Sequence, residues 1–326
     1  MSLPTRVNRD WFEAAQRYSV LIILLVVFVG FASVSGPFLS SGNLKNILLQ
    51  ASATSIAAIG MTFVLVLAEV DISIGSLMSL AMTIGWMASA TRGDASAESA
   101  VSAWIYPIGA AMGVLLGVGN ALLVNILRIN AFIATLATMF AYRGIAWKMV
   151  GSSDKPFSDS AVLIAGRSEF AGVGTPVYLT LILAALAVVV LTRAPVGRYI
   201  CAIGGSPRSA LETGLPVSAT RLFAYGFSGF CCAVAGFITI GRVGVLQAGL
   251  GSGFEFTVIS AVVLGGTSLL GGRGSIVGSI FGSILLVVID NGLNLINASV
   301  YIYDVVKGVI LMSAVMIDVT VFSSEA

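Results

Sequence analysis

The residues that could carry chemistry in this chain are carboxylates set between long apolar segments. Glu69 and Asp71 stand in the polar insert AEVDISIGS, and Glu255 opens the apolar run FEFTVISAVVL. A charged side chain inside a membrane is costly, so such residues mark a substrate or ion route or pair with one another. The alternative is a hydrated turn between two helices that Asp71 and Ser73 cap. The residues alone leave both interpretations open.

Neutral polar side chains form the second group of candidates. Amides and hydroxyls can hydrogen-bond a neutral, hydroxyl-rich cargo without trapping it by charge, although they can equally bond neighbouring helices. The candidates for a substrate path or gate, acidic residues included, are Glu69, Asp71, Ser73, Ser76, Asn120, Asn130, Phe132, Glu255, Thr267, Asn291 and Asn294.

Enzymatic chemistry is disfavoured by what the sequence lacks. It has no histidine, which removes histidine general bases, Ser-His-Asp triads and most zinc sites. The segment GGTSLLGGRGS comes nearest to a phosphate-binding loop, since Gly266 and Gly271 have the Walker spacing, but Gly272 and Arg273 stand where lysine and Ser or Thr are required. We predict no catalytic residue, no metal site and no cofactor, so any ATP would be bound by a partner protein.

Composition places these residues in a membrane protein. Of 326 residues, 57% are hydrophobic and 10% charged, with a net charge of +2 and a mean hydropathy of +1.01. A water-soluble domain of this length would not carry so much apolar sequence. No long basic run is present, so nothing indicates nucleic-acid binding. The predicted fold class is an all-α polytopic membrane protein.

Apolar runs separated by polar turns predict about ten transmembrane helices in a single domain, residues 18–322. The first run resembles a cleavable signal segment, but its length and the embedded chain after it favour an uncleaved span. Residues 91–103 are predicted to be an aqueous loop, and 151–175 a small aqueous structure. The runs cover 20–34, 46–67, 77–90, 104–127, 129–150, 176–191, 222–240, a run ending near Leu264, a run from about Gly274, and 301–321.

Glycines that recur every four residues predict helix faces on which another backbone can approach closely. Two such faces are Gly109, Gly113 and Gly117 in the fourth span and Gly274, Gly278 and Gly282 in the ninth. In the fifth span, Tyr142 and Trp147 cluster with Arg143 and Lys148, as residues of an interfacial belt do. The alternative is that this cluster lines a vestibule.

Two parts of the sequence echo each other. IGSLMSLA is followed by NALLVNILRINAF, and GSIVGSIF by NGLNLINASVY. Internal repeats are common in transporters, where the substrate route lies at the repeat interface, although apolar sequence also produces chance matches. An internal repeat is therefore a further prediction.

The basic connection of residues 194–221 sets the predicted orientation. Its arginines face a single acidic residue, Glu212, and positive charge favours the cytoplasmic side of a membrane. The connection, the tail 1–17 and the end 323–326 are therefore predicted to be cytoplasmic. Within the connection, SPRSALETG has an N-cap serine and a terminal glycine, which predict a short helix. A stiff surface helix suits a subunit pushed by a soluble motor, whereas the alternative is a structureless loop.

Four stretches, in order, resemble the membrane permeases of bacterial ABC importers for ribose and related monosaccharides, a family that also has an autoinducer-2 branch. They are GMTFVLVLAEVDISIGS, NAFIATLATMFAYRGIA, VGRYICAIGGSPRSALETGL and AVVLGGTSLLGGRGSIVGSIFG, the last followed by NGLNLINAS. The resemblance covers about residues 43–315. Two departures, Ala68-Glu69-Val70 where Gly-Gly-Ile is usual and Thr257 at an acidic position, bear on substrate class more than on mechanism.

The resemblance implies the ABC importer permease fold in the bacterial cytoplasmic (inner) membrane. The implied partners are a second permease copy or paralogue, an extracytoplasmic sugar-binding protein and a cytoplasmic ABC ATPase that binds the ATP. The ATPase would dock on the motif residues Arg198, Gly204, Gly205, Arg208, Glu212 and Gly214. The cargo would be a monosaccharide or related small polyol.

Two other functions are compatible with the residues. One is an ABC permease for amino acids or nucleosides, which would share the same machinery. The other is an ion-coupled secondary carrier, which needs charges within several helices. The charges available to such a carrier are Glu69, Asp71, Glu255, Asp290, Asp304 and Lys307.

Overall fold

The computed structural model describes residues 6–89, 101–157 and 161–322. Most of the predicted aqueous loop 91–103 lies outside these ranges, as do residues 1–5 of the predicted tail and the predicted end 323–326. The helices are α1 (Arg6–Val34), α2 (Ser41–Val66), α3 (Ile74–Ser89), α4 (Ile105–Leu127), α5 (Ala131–Val150), α6 (Ala161–Arg167), α7 (Thr175–Arg193), α8 (Pro195–Gly205), α9 (Pro207–Glu212), α10 (Val217–Val243), α11 (Phe254–Leu264), α12 (Ile276–Leu295) and α13 (Val300–Phe322).

The described helices are those of a membrane protein. α2, α4, α7, α10 and α12 are each long and apolar enough to cross a membrane, and α3, α11 and residues Val20–Val34 of α1 are shorter apolar helices. Every predicted apolar run overlaps one of these helices, α5 or α13. The all-α membrane class is therefore confirmed, while the count of ten spans stays a prediction.

Two helices, α2 and α10, occupy the centre of the bundle. Within their spanning stretches 83% and 78% of the residues are buried, against 28% for both α4 and α7. α2 packs against α10, α7 and α12, and α10 packs against α4. The outer helices expose leucines such as Leu115 and Leu181, which suits contact with lipid. The other helices therefore pack around the central pair, α2 and α10.

Close backbone contact at glycines joins these helices. Gly113 of α4 and Gly229 of α10 lie against each other's backbone, and Gly117 lies against the carbonyl of Tyr225. Small residues allow this approach where no hydrophobic force drives helices together. The predicted glycine face of the fourth span is confirmed for Gly113 and Gly117, whereas Gly109 lies against the side chain of Phe237.

The second predicted glycine face is only partly correct. Gly278 and Gly282 lie on α12 against the backbone of Gly265 and Ala261, as expected. Gly274 does not belong to this face, because α12 begins only at Ile276, where the Ser275 side chain accepts a hydrogen bond from the Gly278 N–H. The N-cap serine therefore shortens the predicted helix by two residues.

A small layer of strands and helix α6 covers one end of the bundle. Gly166 of α6 lies against Gly241, near the end of α10. This layer confirms that residues 151–175 carry a structure of their own. In the described chain the strands are β1 (Lys155–Pro156), which pairs antiparallel with β4 (Val245–Leu246), and β2 (Glu169–Phe170), which pairs antiparallel with β3 (Val173–Gly174).

At the other end of the bundle, α8 and α9 connect α7 to α10; we call this end the α8/α9 side. The predicted short helix is confirmed as α9, capped by Ser206, whose hydroxyl accepts a hydrogen bond from Ser209 N–H at 3.4 Å. Two expectations were wrong. Residues 195–205 form helix α8 rather than loop, since Pro195 suits a first helical turn, and α10 begins at Val217, which places Arg221 inside a helix.

The predicted internal repeat stays a prediction. IGSLMSLA and GSIVGSIF each stand at the start of a helix, α3 and α12, after an irregular connection. The asparagine-bearing segments that follow them differ in position. NALLVNILRINAF covers the end of α4, the helix after α3, whereas NGLNLINASVY covers the end of α12 itself.

We expect Gly113→Ala to lower the stability of the bundle. Its methyl group would meet the backbone of Gly229, and overpacking of this kind costs about 1–3 kcal/mol. The matched control is Gly144→Ala on α5, where a methyl group would meet nothing within 4 Å. The check is the melting temperature of the purified protein in detergent: a drop only for Gly113→Ala supports the packing, and equal values for both variants contradict it.

Candidate functional site

The break between α2 and α3 holds the first group of candidate residues. Asp71 is fully buried, and its Oδ1 accepts hydrogen bonds from Ser73 N–H at 2.9 Å and Ser73 Oγ–H at 2.7 Å. From α5, Thr135 Oγ lies 3.2 Å from both Ile72 N, which donates to it, and Val70 O. Of the two alternatives, the hydrated turn does not hold for residues 71–73, which are buried, whereas Ala68 at the start of the turn is exposed. The capping of the turn by Asp71 and Ser73 was correct.

A buried hydrogen-bond network extends this break to α4 and α5. Asn120 Nδ2 donates to Ser73 Oγ at 2.7 Å and lies 3.5 Å from Asp71 Oδ2. Tyr142 O–H donates to Asn120 Oδ1 at 3.2 Å, and Ser76 Oγ–H to Ser73 O at 2.8 Å. Four predicted residues, Asp71, Ser73, Ser76 and Asn120, are therefore in one network. Asn120 lies seven residues before the end of α4, about 10 Å into the bundle from the α8/α9 side.

The predicted interfacial belt on α5 was wrong for two of its members. Tyr142 belongs to the buried network, and Arg143 faces the start of α11. Trp147 is 52% exposed, as a belt residue would be. An α-helix turns 100° per residue, so positions only a few residues apart face different surroundings.

Glu255 and Arg143 form an ion pair inside the bundle. Arg143 Nη2 lies 3.6 Å from Glu255 Oε1, and the Glu255 side chain is 5% exposed. Arg143 Nη1 donates to Ser252 Oγ at 2.5 Å. Glu255 lies beside Gly75 in the first turn of α3, because α11 is a short helix that begins inside the bundle.

Glu69 lines a cavity on the α8/α9 side, together with residues from three other elements. Arg221 of α10 donates from Nε to Glu69 Oε1 at 2.6 Å, and its Nη2 lies 2.5 Å from the same oxygen. Arg221 Nη1 also donates to Asn125 Oδ1. The cavity has a volume of about 370 Å³, and its lining includes Ala68, Glu69, Arg221, Asn130 and Phe132.

Three of the predicted path residues, Glu69, Asn130 and Phe132, are thus brought together, and Arg221 and Asn125 complete the group. Arg221 was not predicted as a site residue because it was assigned to the basic loop. A prediction that began α10 directly after Pro216 would have placed Arg221 in the second turn of that helix. Asn125 lies near the end of α4, and nothing in the sequence indicates that it faces Arg221.

The break between α11 and α12 meets the break between α2 and α3 beneath α8. Gly272 N–H donates to Val66 O at 2.8 Å. A methyl group on Gly204 of α8 would overlap Val66 O and come within 2.7 Å of Gly272 N, whereas one on Gly205 would have its nearest neighbour at 3.9 Å. Of the adjacent motif glycines Gly204 and Gly205, only Gly204 must lack a side chain for this contact to form.

The other motif residues lie on the surface of the α8/α9 side. Arg208 and Glu212 pair within α9, Nε to Oε1 at 3.1 Å, with side chains 91% and 65% exposed. Arg198 is exposed on α8, and Gly214 has a φ of +76° after α9, which favours glycine. An exposed ion pair contributes little to stability. The fold therefore does not depend on this pair, and both side chains are accessible to a partner protein.

Three predicted path residues lie away from the cavity and the network. Thr267 is buried in the α11–α12 break, where its Oγ accepts a hydrogen bond from Ser275 N–H at 3.2 Å. Asn291 exchanges hydrogen bonds of 2.8 and 2.9 Å with Asn43 of α2, which joins two helices. Asn294 is exposed near the end of α12. In the described structure Thr267 and Asn291 therefore act in packing.

Comparison with known proteins identifies the family. A family described as "branched-chain amino acid transport system / permease component" matches residues 43–315. The chain belongs to this permease family. The ribose import permease protein RbsC of Escherichia coli K12 is 36% identical over 326 residues, covering 98% of this chain and 99% of its own length.

Other relatives point the same way. RbsC of Bacillus subtilis 168 is 34% identical, with 97% of both chains covered. The xylose transport system permease protein XylH of Escherichia coli K12 is 29% identical, with 91% of this chain and 89% of the relative covered. No solved structure matches the chain significantly. The resemblance to ribose-type ABC permeases is confirmed.

We expect Asn120→Leu to destabilise the protein. The change leaves Ser73, Asp71 and Tyr142 short of a hydrogen-bond partner in the interior, which costs about 1–3 kcal/mol. The control, Asn294→Leu, replaces an exposed asparagine. Thermal unfolding in detergent compares the two, and an Asn120→Leu variant as stable as the control would show that the network contributes nothing.

Proposed function

We propose that the chain is the transmembrane permease subunit of an ABC importer that carries a neutral monosaccharide or related small polyol. The observation that carries this proposal is the similarity over almost the whole length to proteins named as ribose and xylose permeases. We further propose a bacterial inner-membrane location with both termini cytoplasmic.

The interior is suited to neutral cargo. The network around Asp71 and Asn120 presents hydroxyl and amide groups, and Asp71 itself accepts two hydrogen bonds from Ser73. Such groups can exchange bonds with sugar hydroxyls. A path of this kind holds a sugar weakly enough to release it.

An ion-coupled secondary carrier is disfavoured by the partners of the charges it would need: three carboxylates pair with basic residues, and Asp71 is hydrogen-bonded by Ser73 and Asn120. Glu69 pairs with Arg221 and Glu255 with Arg143. Asp290 pairs with Lys307, Oδ2 to Nζ, at 3.0 Å. A carboxylate already balanced by a basic partner gains less from binding a cation. The side chain of Asp304, another candidate, lies outside the described residues.

Three protein partners complete the proposed importer. An ABC ATPase, which binds and hydrolyses the ATP, docks on the exposed surface of α8 and α9. A sugar-binding protein docks at the strand layer on the opposite end of the bundle. A second permease copy or close paralogue packs beside the chain in the membrane. The chain itself contributes the path and no hydrolysis.

Reconstitution tests this function. Proteoliposomes containing the permease with its ATPase should take up D-ribose only when ATP and the sugar-binding protein are both present. Uptake by the permease alone, driven by a proton or sodium gradient, would support a secondary carrier and contradict the proposal. Transport of L-leucine in place of D-ribose would support the amino acid alternative.

The contact beneath α8 gives a sharper expectation. Gly204→Ala should reduce ATP-driven uptake at least fivefold, because its methyl group displaces the Val66 and Gly272 backbones from α8. Gly205→Ala is the control, since its methyl group has room. ATP hydrolysis by the assembled complex is measured alongside uptake. Equal transport by the two variants would mean that α8 does not act through this contact.

A further inference from the structure

We infer that the cavity bordered by Glu69, Arg221, Asn130 and Phe132 is a binding site for a monosaccharide on its way out of the membrane domain. The inference rests on the proposed function and assigns one step of transport to a place. That place is the α8/α9 side, where the cargo would leave the permease.

The size and lining of the cavity fit a small polyol. Its volume of about 370 Å³ lies in the range of roughly 300–1,000 Å³ that small-molecule sites occupy. Glu69 and Arg221 form a polar wall, Asn130 caps α5 at the rim, and the Phe132 ring is 49% exposed. Sugar-sized ligands need a few oriented polar groups together with an apolar surface, and this cavity supplies both.

The ion pair matches the hydrogen-bonding pattern of a sugar. A carboxylate only accepts and a guanidinium only donates, whereas a hydroxyl does both. Adjacent hydroxyls of one sugar could therefore bond Glu69 and Arg221 together. Both contacts from Arg221 go to Oε1 of Glu69, whereas Oε2 is buried.

Two other places are less suitable. A larger cavity, of about 490 Å³, lies between α4, α6, α7 and α10, and its lining is mostly apolar, with Leu179, Val234 and Phe237 among its residues. It would leave sugar hydroxyls without partners. The Arg143–Glu255 pair is charged, but Glu255 is 5% exposed and neither residue borders either cavity.

The wall of the cavity is also attached to α8. Ala68 borders the cavity, and a methyl group on Gly271 would overlap its backbone at 2.7 Å. Val66, two residues earlier, is the backbone that Gly204 of α8 contacts. A displacement of α8 would therefore move the segment that carries Glu69 relative to Arg221 on α10. This attachment connects release of the sugar to the surface on which the ATPase docks.

The test is direct binding of D-ribose to the full chain in lipid nanodiscs, measured by saturation-transfer NMR. Glu69→Gln and Phe132→Ala should each weaken binding about tenfold, since one removes the acceptor charge and the other the apolar surface. Phe132 is half exposed, so its removal leaves the fold intact. The control is Asp290→Asn, which breaks another ion pair between membrane helices and should leave binding within twofold of the wild type.

The outcomes separate this inference from the proposed function. Wild-type affinity in both cavity variants, or no D-ribose binding to the wild-type chain, overturns the cavity assignment. ATP-driven D-ribose uptake by the wild-type importer is measured in parallel and tests the proposed function alone. Normal uptake with unaltered variant affinities would leave the importer function standing and remove only the site.

Discussion

The structure depends on satisfying the backbone where two helices are interrupted inside the bundle. An unpaired N–H or C=O in a membrane interior costs several kcal/mol, and each break exposes several. The two breaks pair with each other through Gly272 N–H and Val66 O. Side chains satisfy further groups, with Thr135 serving Ile72 and Thr267 serving Ser275. Polar residues that look like a transport path in the sequence are thus partly a requirement of the fold.

The same breaks divide the polar interior into three parts. Between them lies the hydrogen-bonded network of Asp71, Ser73 and Asn120, and on either side of it stands an acid paired with an arginine. The Glu69–Arg221 pair borders a cavity, whereas the Glu255–Arg143 pair is enclosed. The two ion pairs are thus separated by side chains that hydrogen bonds hold in place.

The sequence allowed the helices to be predicted well and the side-chain partners only in part. Long apolar runs and cap residues such as Ser206 are local signals, so the apolar helices and α9 were predicted correctly. The pairing of Glu255 with Arg143 was not predicted, because it depends on how far α11 enters the bundle. The roles of Asn120 and Asn291, one in a network and the other in a helix contact, depend on neighbours more than twenty residues away. Spacing along one helix does not report such neighbours.

The paired amides of Asn43 and Asn291 have a consequence for how this sequence can change over evolution. Each side chain both donates to and accepts from the other, at 2.9 and 2.8 Å. Replacing Asn43 alone leaves Asn291 with an unused donor and acceptor. Replacing Asn291 alone leaves Asn43 Oδ1 without its donor, while Asn43 Nδ2 keeps a hydrogen bond to Phe38 O at 2.8 Å. Replacing both with apolar residues of similar size removes the need for the bond between the two helices. Substitutions at these two positions should therefore occur together in related sequences, one in the first turn of α2 and the other near the end of α12.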